Sequence, residues 1–426
     1  MFIKETTKGM RDILPAEAEI REYLLGILKK TYTSFGFSQI ETPAVEHIEN
    51  LTSKQGGENE KLIFKVLKRG EKLNIAEESL DVDSLVDSGL RYDLTVPLSR
   101  YYANNAANLS LPFKAIQIGP VWRADRPQKG RFRQFVQCDI DILGDPSNTA
   151  EIELITATST FLEKAGIGGV TIMINDRRIL SAMARASGFT EEQFSLVFII
   201  LDKFDKIGKD GIEKELLEAG YDRECVSKYM EIFNGVMAAE DRYAYLENAL
   251  GDSIEEGVVS NLKEICDSVA TISDNRFNFE FDPTLVRGMG YYTGVIFEIK
   301  SEDFKGSSIC GGGRYDNMIG NFTGQKTPAC GFSVGFERIV SALVEKNFKP
   351  NGTCEKIAVL FDKRLTAAEF ALMQRKAMEA REQGKTVLVQ RMNKNVGFQK
   401  QKLESEGYSK FIDIRYPDEM TRLDEI

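Results

Sequence analysis

Within PAEAEIREYLLGILKKTYTS, apolar residues fall at Ile20, Leu24, Ile27 and Leu28, so residues 15–34 are expected to form an amphipathic helix with Pro15 in its first turn. GFSQIETPAVE then reads as a turn and a strand, and Pro43 puts that strand at an edge or a contact surface. Alternation in RYDLTV (91–96) predicts a strand with Arg91, Asp93 and Thr95 on one face and Tyr92, Leu94 and Val96 on the other. A sheet with one wet side and a binding surface both account for that pattern. AIQIGPVWRADRPQKGRFRQFVQCDIDIL (115–143) predicts strand, basic loop and strand, with PQKG as the turn. On the returning strand Gln137, Asp139 and Asp141 face one way and Cys138, Ile140 and Ile142 the other.

Residues 177–256 are mostly charged with helical spacing, and suggest an inserted helical subdomain; within them FSLVFIIL (194–201) has the length of a core strand or helix. KNFKPNGTCEK (346–356) reads as a linker. After it come KIAVLF, a helix and TVLVQ. Thr366 and Glu369 can form a capping box and Gly384 ends the helix, so a small parallel α/β module is expected. Its last part shows no recognisable final strand. The expected division is therefore 1–345, a linker, and 357–426.

The 426 residues are 42% hydrophobic and can bury a large core in two or three domains. No apolar run approaches the ~18 residues of a membrane span, and the N-terminus has no hydrophobic signal segment, so the expected location is cytoplasmic, with no membrane contact. Six cysteines without a C-x-x-C pair fit reduced thiols. One histidine, His47, argues against a histidine triad or a His-ligated metal. With a net charge of -10, any nucleic-acid contact must come from local basic patches.

Two stretches carry candidate chemistry. RGMGYYTG (287–294) has glycines at 288, 290 and 294, but Thr293 breaks the dinucleotide fingerprint and no Gly-Lys-Ser/Thr step follows. In the 115–143 hairpin, Arg123, Arg126, Lys129, Arg131 and Arg133 crowd a loop beside Asp139 and Asp141. A solvated hairpin could carry that charge; so could a site for a polyphosphate and a cationic substrate together.

GPVWRADRP…GRFRQFVQCDIDILG resembles motif 2 of class II aminoacyl-tRNA synthetases, GFSVGFERI (331–339) resembles motif 3, and the helix leading to Pro43 resembles motif 1. LVRGMGYYTGVIFEI and CGGGRYDNMIG resemble the two signature segments of the histidyl-tRNA synthetase family. The likeness runs from near residue 7 to about 414, and LRYDLTVPLSRY is similar to the eukaryote-like branch.

The resemblance implies an α+β catalytic domain, with an antiparallel six-stranded sheet flanked by helices, a homodimer through motif 1, and a C-terminal α/β anticodon-binding module. It implies that ATP, with Mg²⁺, and L-histidine form histidyl-adenylate, from which tRNA(His) is charged. It assigns Arg123 and Arg287 to the α-phosphate and the substrate carboxylate, and Arg338, Asp125 and Arg131 to ATP. Asp93, Leu94, Thr95, Gln137, Asp141, Tyr291, Tyr292 and Tyr315, together with Arg123 and Arg287, would hold histidine. Tyr315 would close the pocket, while Gly311–Gly313 could simply permit a tight bend. The alternative is a histidine-binding regulatory paralogue, like the regulatory subunit of ATP phosphoribosyltransferase, that charges no tRNA.

Overall fold

The helix Pro15–Ser34 forms where the apolar spacing puts it, with Leu24, Leu28 and Tyr32 buried on its inner side. The computed structural model describes residues 2–52, 59–70, 82–126, 131–274, 276–287, 291–305, 307–350 and 355–426. The PQKG turn, Lys129, the glycines at 288 and 290, and Cys354 lie outside them.

The chain divides into two compact units, one of Met1–Asp12 with Leu24–Leu343 and one of Ile13–Tyr23 with Val344–Ile426. Strands of the first unit are β1 (Ser38–Ile40), β2 (Val45–His47), β3 (Phe64–Leu67), β4 (Val86–Leu90), β5 (Phe113–Trp122), β6 (Gln134–Leu143), β7 (Val170–Asp176), β8 (Asn278–Phe281), β9 (Val295–Ser301), β10 (Ser307–Arg314) and β11 (Ala329–Val334). Those of the second unit are β12 (Lys356–Phe361), β13 (Thr386–Arg391) and β14 (Lys410–Ile414).

The main sheet has the order β1-β5-β6-β11-β10-β9-β7-β8. Its six inner strands are antiparallel, as expected, and β1 and β8 flank them in parallel pairings with β5 and β7. β5 and β6 pair over their full length, from Phe113 opposite Leu143 to Trp122 opposite Gln134. The alternation read from the sequence holds here: Cys138, Ile140 and Ile142 enter the core behind the sheet. The helices Thr149–Lys164 and Val258–Ser273 belong to the packed layer of this unit. Between β7 and β8 the chain is helical from Arg177 to Ser273, and FSLVFIIL lies in the helix Glu191–Leu201.

The strand expected at 91–96 does not form. β4 ends at Leu90 and a helix begins at Thr95. Pro97 suits the first turn of that helix, where no intrahelical N–H bond is needed, and Asp93 accepts the Val96 N–H at 3.1 Å. Asp93 and Thr95 therefore sit at a strand-to-helix turn rather than on a sheet face. Arg91 braces this turn: Nε donates to the Pro120 carbonyl and Nη1 to the Thr42 carbonyl.

In the second unit β13, β12 and β14 form a parallel sheet. The capping box of Thr366 and Glu369 starts the helix Ala367–Glu382. A final strand, β14, is present after all. Only Ile412 and Ile414 of it are fully buried, so KFIDI gives a weak apolar signal.

Candidate active site

A cleft of about 510 Å³ opens on the front of the main sheet. All the residues singled out for ligand binding line it except Leu94, whose buried carbonyl instead accepts from Gln117 Nε2 at 2.9 Å. β5, β6, β9, β10 and β11, the turn before Thr95, Arg287 and the pair Tyr291 and Tyr292 bring these residues together across more than half the chain.

One end of the cleft is acidic. Asp93, Asp139 and Asp141 are all buried, and burial raises each carboxyl above the ordinary range. Asp141 is pushed up to about 7; a hydrogen bond from Tyr315 opposes the shift and nearby Asp93 adds to it. The Tyr315 hydroxyl donates to Asp141 Oδ1 at 2.6 Å. A Cβ on Gly331 would overlap that same oxygen, which is why glycine stands opposite Asp141 on β11. Tyr291, Tyr292 and Tyr315 form an aromatic wall, with ring centroids 4.7 Å and 5.9 Å apart for the pairs sharing Tyr291.

The other end is cationic. Arg123 donates from Nε to the Tyr92 carbonyl at 2.8 Å and lies over the Phe135 ring, and among the described residues its terminal nitrogens make no hydrogen bond, which leaves them to the cleft. Arg287, in the left-handed region at φ 61°, is anchored by Glu298 at 2.7 Å. Gly311 provides the space for it, because a Cβ there would overlap the Arg287 guanidinium. Gly311–Gly313 thus lie within strand β10 and serve close approach, not a bend. Arg338 donates to the Ser308 carbonyl at the exposed rim. Asp125 is 3.7 Å from Arg131, and its carbonyl accepts from Arg133.

Four buried polar atoms facing this space have no hydrogen-bond partner among the described residues: Asp93 Oδ2, Gln137 Oε1, Asp141 Oδ2 and Arg287 Nε. Buried polar groups are ordinarily satisfied, so this set of three acceptors and one donor describes the groups that a bound ligand would meet. That ligand must carry several N–H groups at one end and negative charge at the other.

Residues 9–339 match the family model described as histidyl-tRNA synthetase. The chain belongs to the histidyl-tRNA synthetase family. A histidine--tRNA ligase of Leifsonia xyli subsp. xyli is 46% identical over 349 residues, covering 79% of each chain. A histidyl-tRNA synthetase crystal structure from Nostoc sp. PCC 7120 is 27% identical with TM-score 0.77, covering 98% of this chain and 92% of that one. An ATP phosphoribosyltransferase regulatory subunit/histidyl-tRNA synthetase from Bacillus halodurans C shares the fold, at 21% identity and TM-score 0.75, over 98% and 99%.

Several lining residues carried no role assigned from the sequence, Glu298, Asp139 and Asp202 among them. Glu298 is the single carboxylate in the apolar run VIFEI, a legible signal for a buried partner. Asp139 stood on the correct face without a task. Asp202 reaches the cleft from the helical segment after β7, and nothing local in the sequence marks it.

Proposed function

We infer that this chain attaches L-histidine to its tRNA in two steps: ATP and histidine give histidyl-adenylate and diphosphate, and the tRNA 3′ end then takes the histidyl group, releasing AMP. The observation that carries this reading is the orphaned set in the cleft. An α-ammonium supplies donors to Asp93 and Gln137, an imidazole N–H to Asp141, and the carboxylate lies toward Arg123. A site built on buried acceptors rejects ligands without those N–H groups by roughly 10⁴–10⁵.

The carboxylate of histidine is already ionised and needs no base. Arg123 and Arg287 hold it against the α-phosphate and neutralise the charge that grows there during in-line attack. Glu298 keeps Arg287 aimed, Tyr291 and Tyr292 wall the amino-acid pocket, and Arg338, Asp125 and Arg131 take the nucleotide. Among the described residues no three His, Cys, Asp or Glu side chains are grouped to hold a metal. Mg²⁺, when bound, would come with the triphosphate and screen its charge. Two copies pair through the motif 1 region, in the cytoplasm, and the second unit meets the anticodon.

A histidine-binding regulator needs the acceptors but not the arginines at the α-phosphate; finding both in one cleft favours chemistry. Histidine-dependent exchange of pyrophosphate into ATP, followed by charging of tRNA(His), tests this. Histidine binding without exchange would overturn it.

A further inference from the structure

Asp139 lies between Gln137 and Asp141 on β6, buried, and neither anchors a strand nor faces a ligand atom in the reading above. In the sheet it stands directly opposite Ser333 on β11 and Gln117 on β5. Gln137 Nε2 donates to Ser333 Oγ at 3.1 Å and to the Asp139 carboxylate at 3.3 Å and 3.5 Å. Both N–H groups of the Gln137 amide are thereby committed, and its oxygen is the buried, unpartnered atom left toward the cleft.

We propose that Asp139 is a positioning residue, which fixes the amide orientation of Gln137 so that Oε1, not Nε2, faces the amino group of the substrate. The inference rests on the reading of the cleft as a histidine site. An amide has two orientations of nearly the same shape, and only its neighbours choose between them. Turning Gln137 over would put its oxygen against the carboxylate oxygens of Asp139 and its NH₂ against the substrate ammonium. Asp139 keeps an acceptor oxygen toward Gln137 whether ionised or protonated, and Ser333 can donate to it while accepting from Gln137. Arg91 is within electrostatic reach of Asp139 while its own hydrogen bonds go to the Pro120 and Thr42 carbonyls. Asp141 and Asp93 share the space, and among the described residues neither makes a hydrogen bond to the Gln137 amide. In Asp139→Asn one acceptor oxygen becomes an NH₂ that cannot accept from Gln137 and can donate to a turned-over Oε1, so the wrong orientation is no longer excluded.

The experiment is histidine-dependent pyrophosphate exchange by the full chain. Asp139→Asn is expected to raise the histidine KM about tenfold, the value of one hydrogen bond to a charged group, with kcat and the ATP KM little changed. Gln137→Ala should raise the histidine KM similarly, and Asp139→Asn should add nothing in the Gln137→Ala background, since it acts only through that amide. If Gln137→Ala raises KM while Asp139→Asn does not, or if the two effects simply add, the positioning role is wrong. If Gln137→Ala leaves KM unchanged, Gln137 is no substrate acceptor and the cleft reading itself fails. Should Asp139→Asn not fold, Ser333→Ala removes the second anchor of the same amide; a rise in histidine KM supports the inference, and an unchanged KM overturns it.

Discussion

Tyr315 donates its hydroxyl to one oxygen of Asp141 at 2.6 Å and leaves the other oxygen buried without a partner. The tyrosine therefore orients the carboxylate, and the free oxygen is what a ligand N–H would find. Asp141→Asn keeps the shape and removes the charge. Its expected result is a rise of roughly 10–100-fold in the KM for histidine, since hydrogen bonds to charged groups contribute about 1.5–3 kcal/mol. A histidine KM equal to that of the unmodified chain would separate Asp141 from the imidazole.

Burial gives Asp141 a folded-state pKa of about 7, well above its unfolded value. Below the unfolded pKa both states are protonated, and the group's stabilising contribution is fully present. As pH rises toward 7 the unfolded state gives up its proton first, so the contribution is lost through the folded pKa. The ligand-free chain should accordingly gain less stability than Asp141→Asn when pH is lowered from about 8 to about 5.5 only if this assignment is wrong; the expected sign is a larger gain for the unmodified chain. Thermal unfolding of both proteins across that range provides the measurement.

Arg287→Ala should slow adenylate formation by roughly 10²–10³ while changing ATP binding much less, because the charge matters most as the α-phosphate becomes five-coordinate. Gly311→Ala is the subtler test. It retains the arginine but pushes the guanidinium out of its place, so a loss in the same direction is expected with the Arg287 charge still present. Single-turnover adenylation at normal speed in Gly311→Ala would show that the position of Arg287 is immaterial.

For the second unit, removal of residues 350–426 should leave histidine-dependent exchange measurable and greatly reduce tRNA charging. Lys394 stands just before the helix Val396–Ser405 and Lys400 and Lys402 lie within it; since Lys400 is ion-paired with Asp413 at 2.9 Å, Lys394 and Lys402 are the better candidates for phosphate contact. Neutralising Lys394 and Lys402 together should raise the KM for tRNA and lower its salt slope by about two, one per phosphate contact. An unaltered salt slope would remove these lysines from the interface.

The 115–143 hairpin and the facing of Gln137, Asp139 and Asp141 were legible because β6 alternates cleanly and has a core behind it, whereas the six-stranded antiparallel sheet followed only from the family resemblance. Asp93 and Thr95 were found for a mistaken reason. RYDLTV alternates like a strand over six residues, yet Pro97 and the Asp93 cap turn it into a helix start, and tertiary packing settled the ambiguity. The closing strand of the second unit was missed because KFIDI buries only two apolar side chains completely. Asp202 was beyond reach, since only the folded path of the helical segment brings it beside the cleft.

The cleft draws its walls from Asp93 at one extreme and Arg338 at the other, and this has a consequence during synthesis. A chain emerging at ~5–20 residues per second exposes Asp93 tens of seconds before Arg338 follows it. Through that interval β5 and β6 can pair as a local hairpin, and the helices from Arg177 to Ser273 can fold on contacts close in sequence. β11, whose register aligns Gly331 with Asp141 and Ser333 with Asp139, is still missing. The cleft is thus completed late, when the last strand of the sheet slides into its centre.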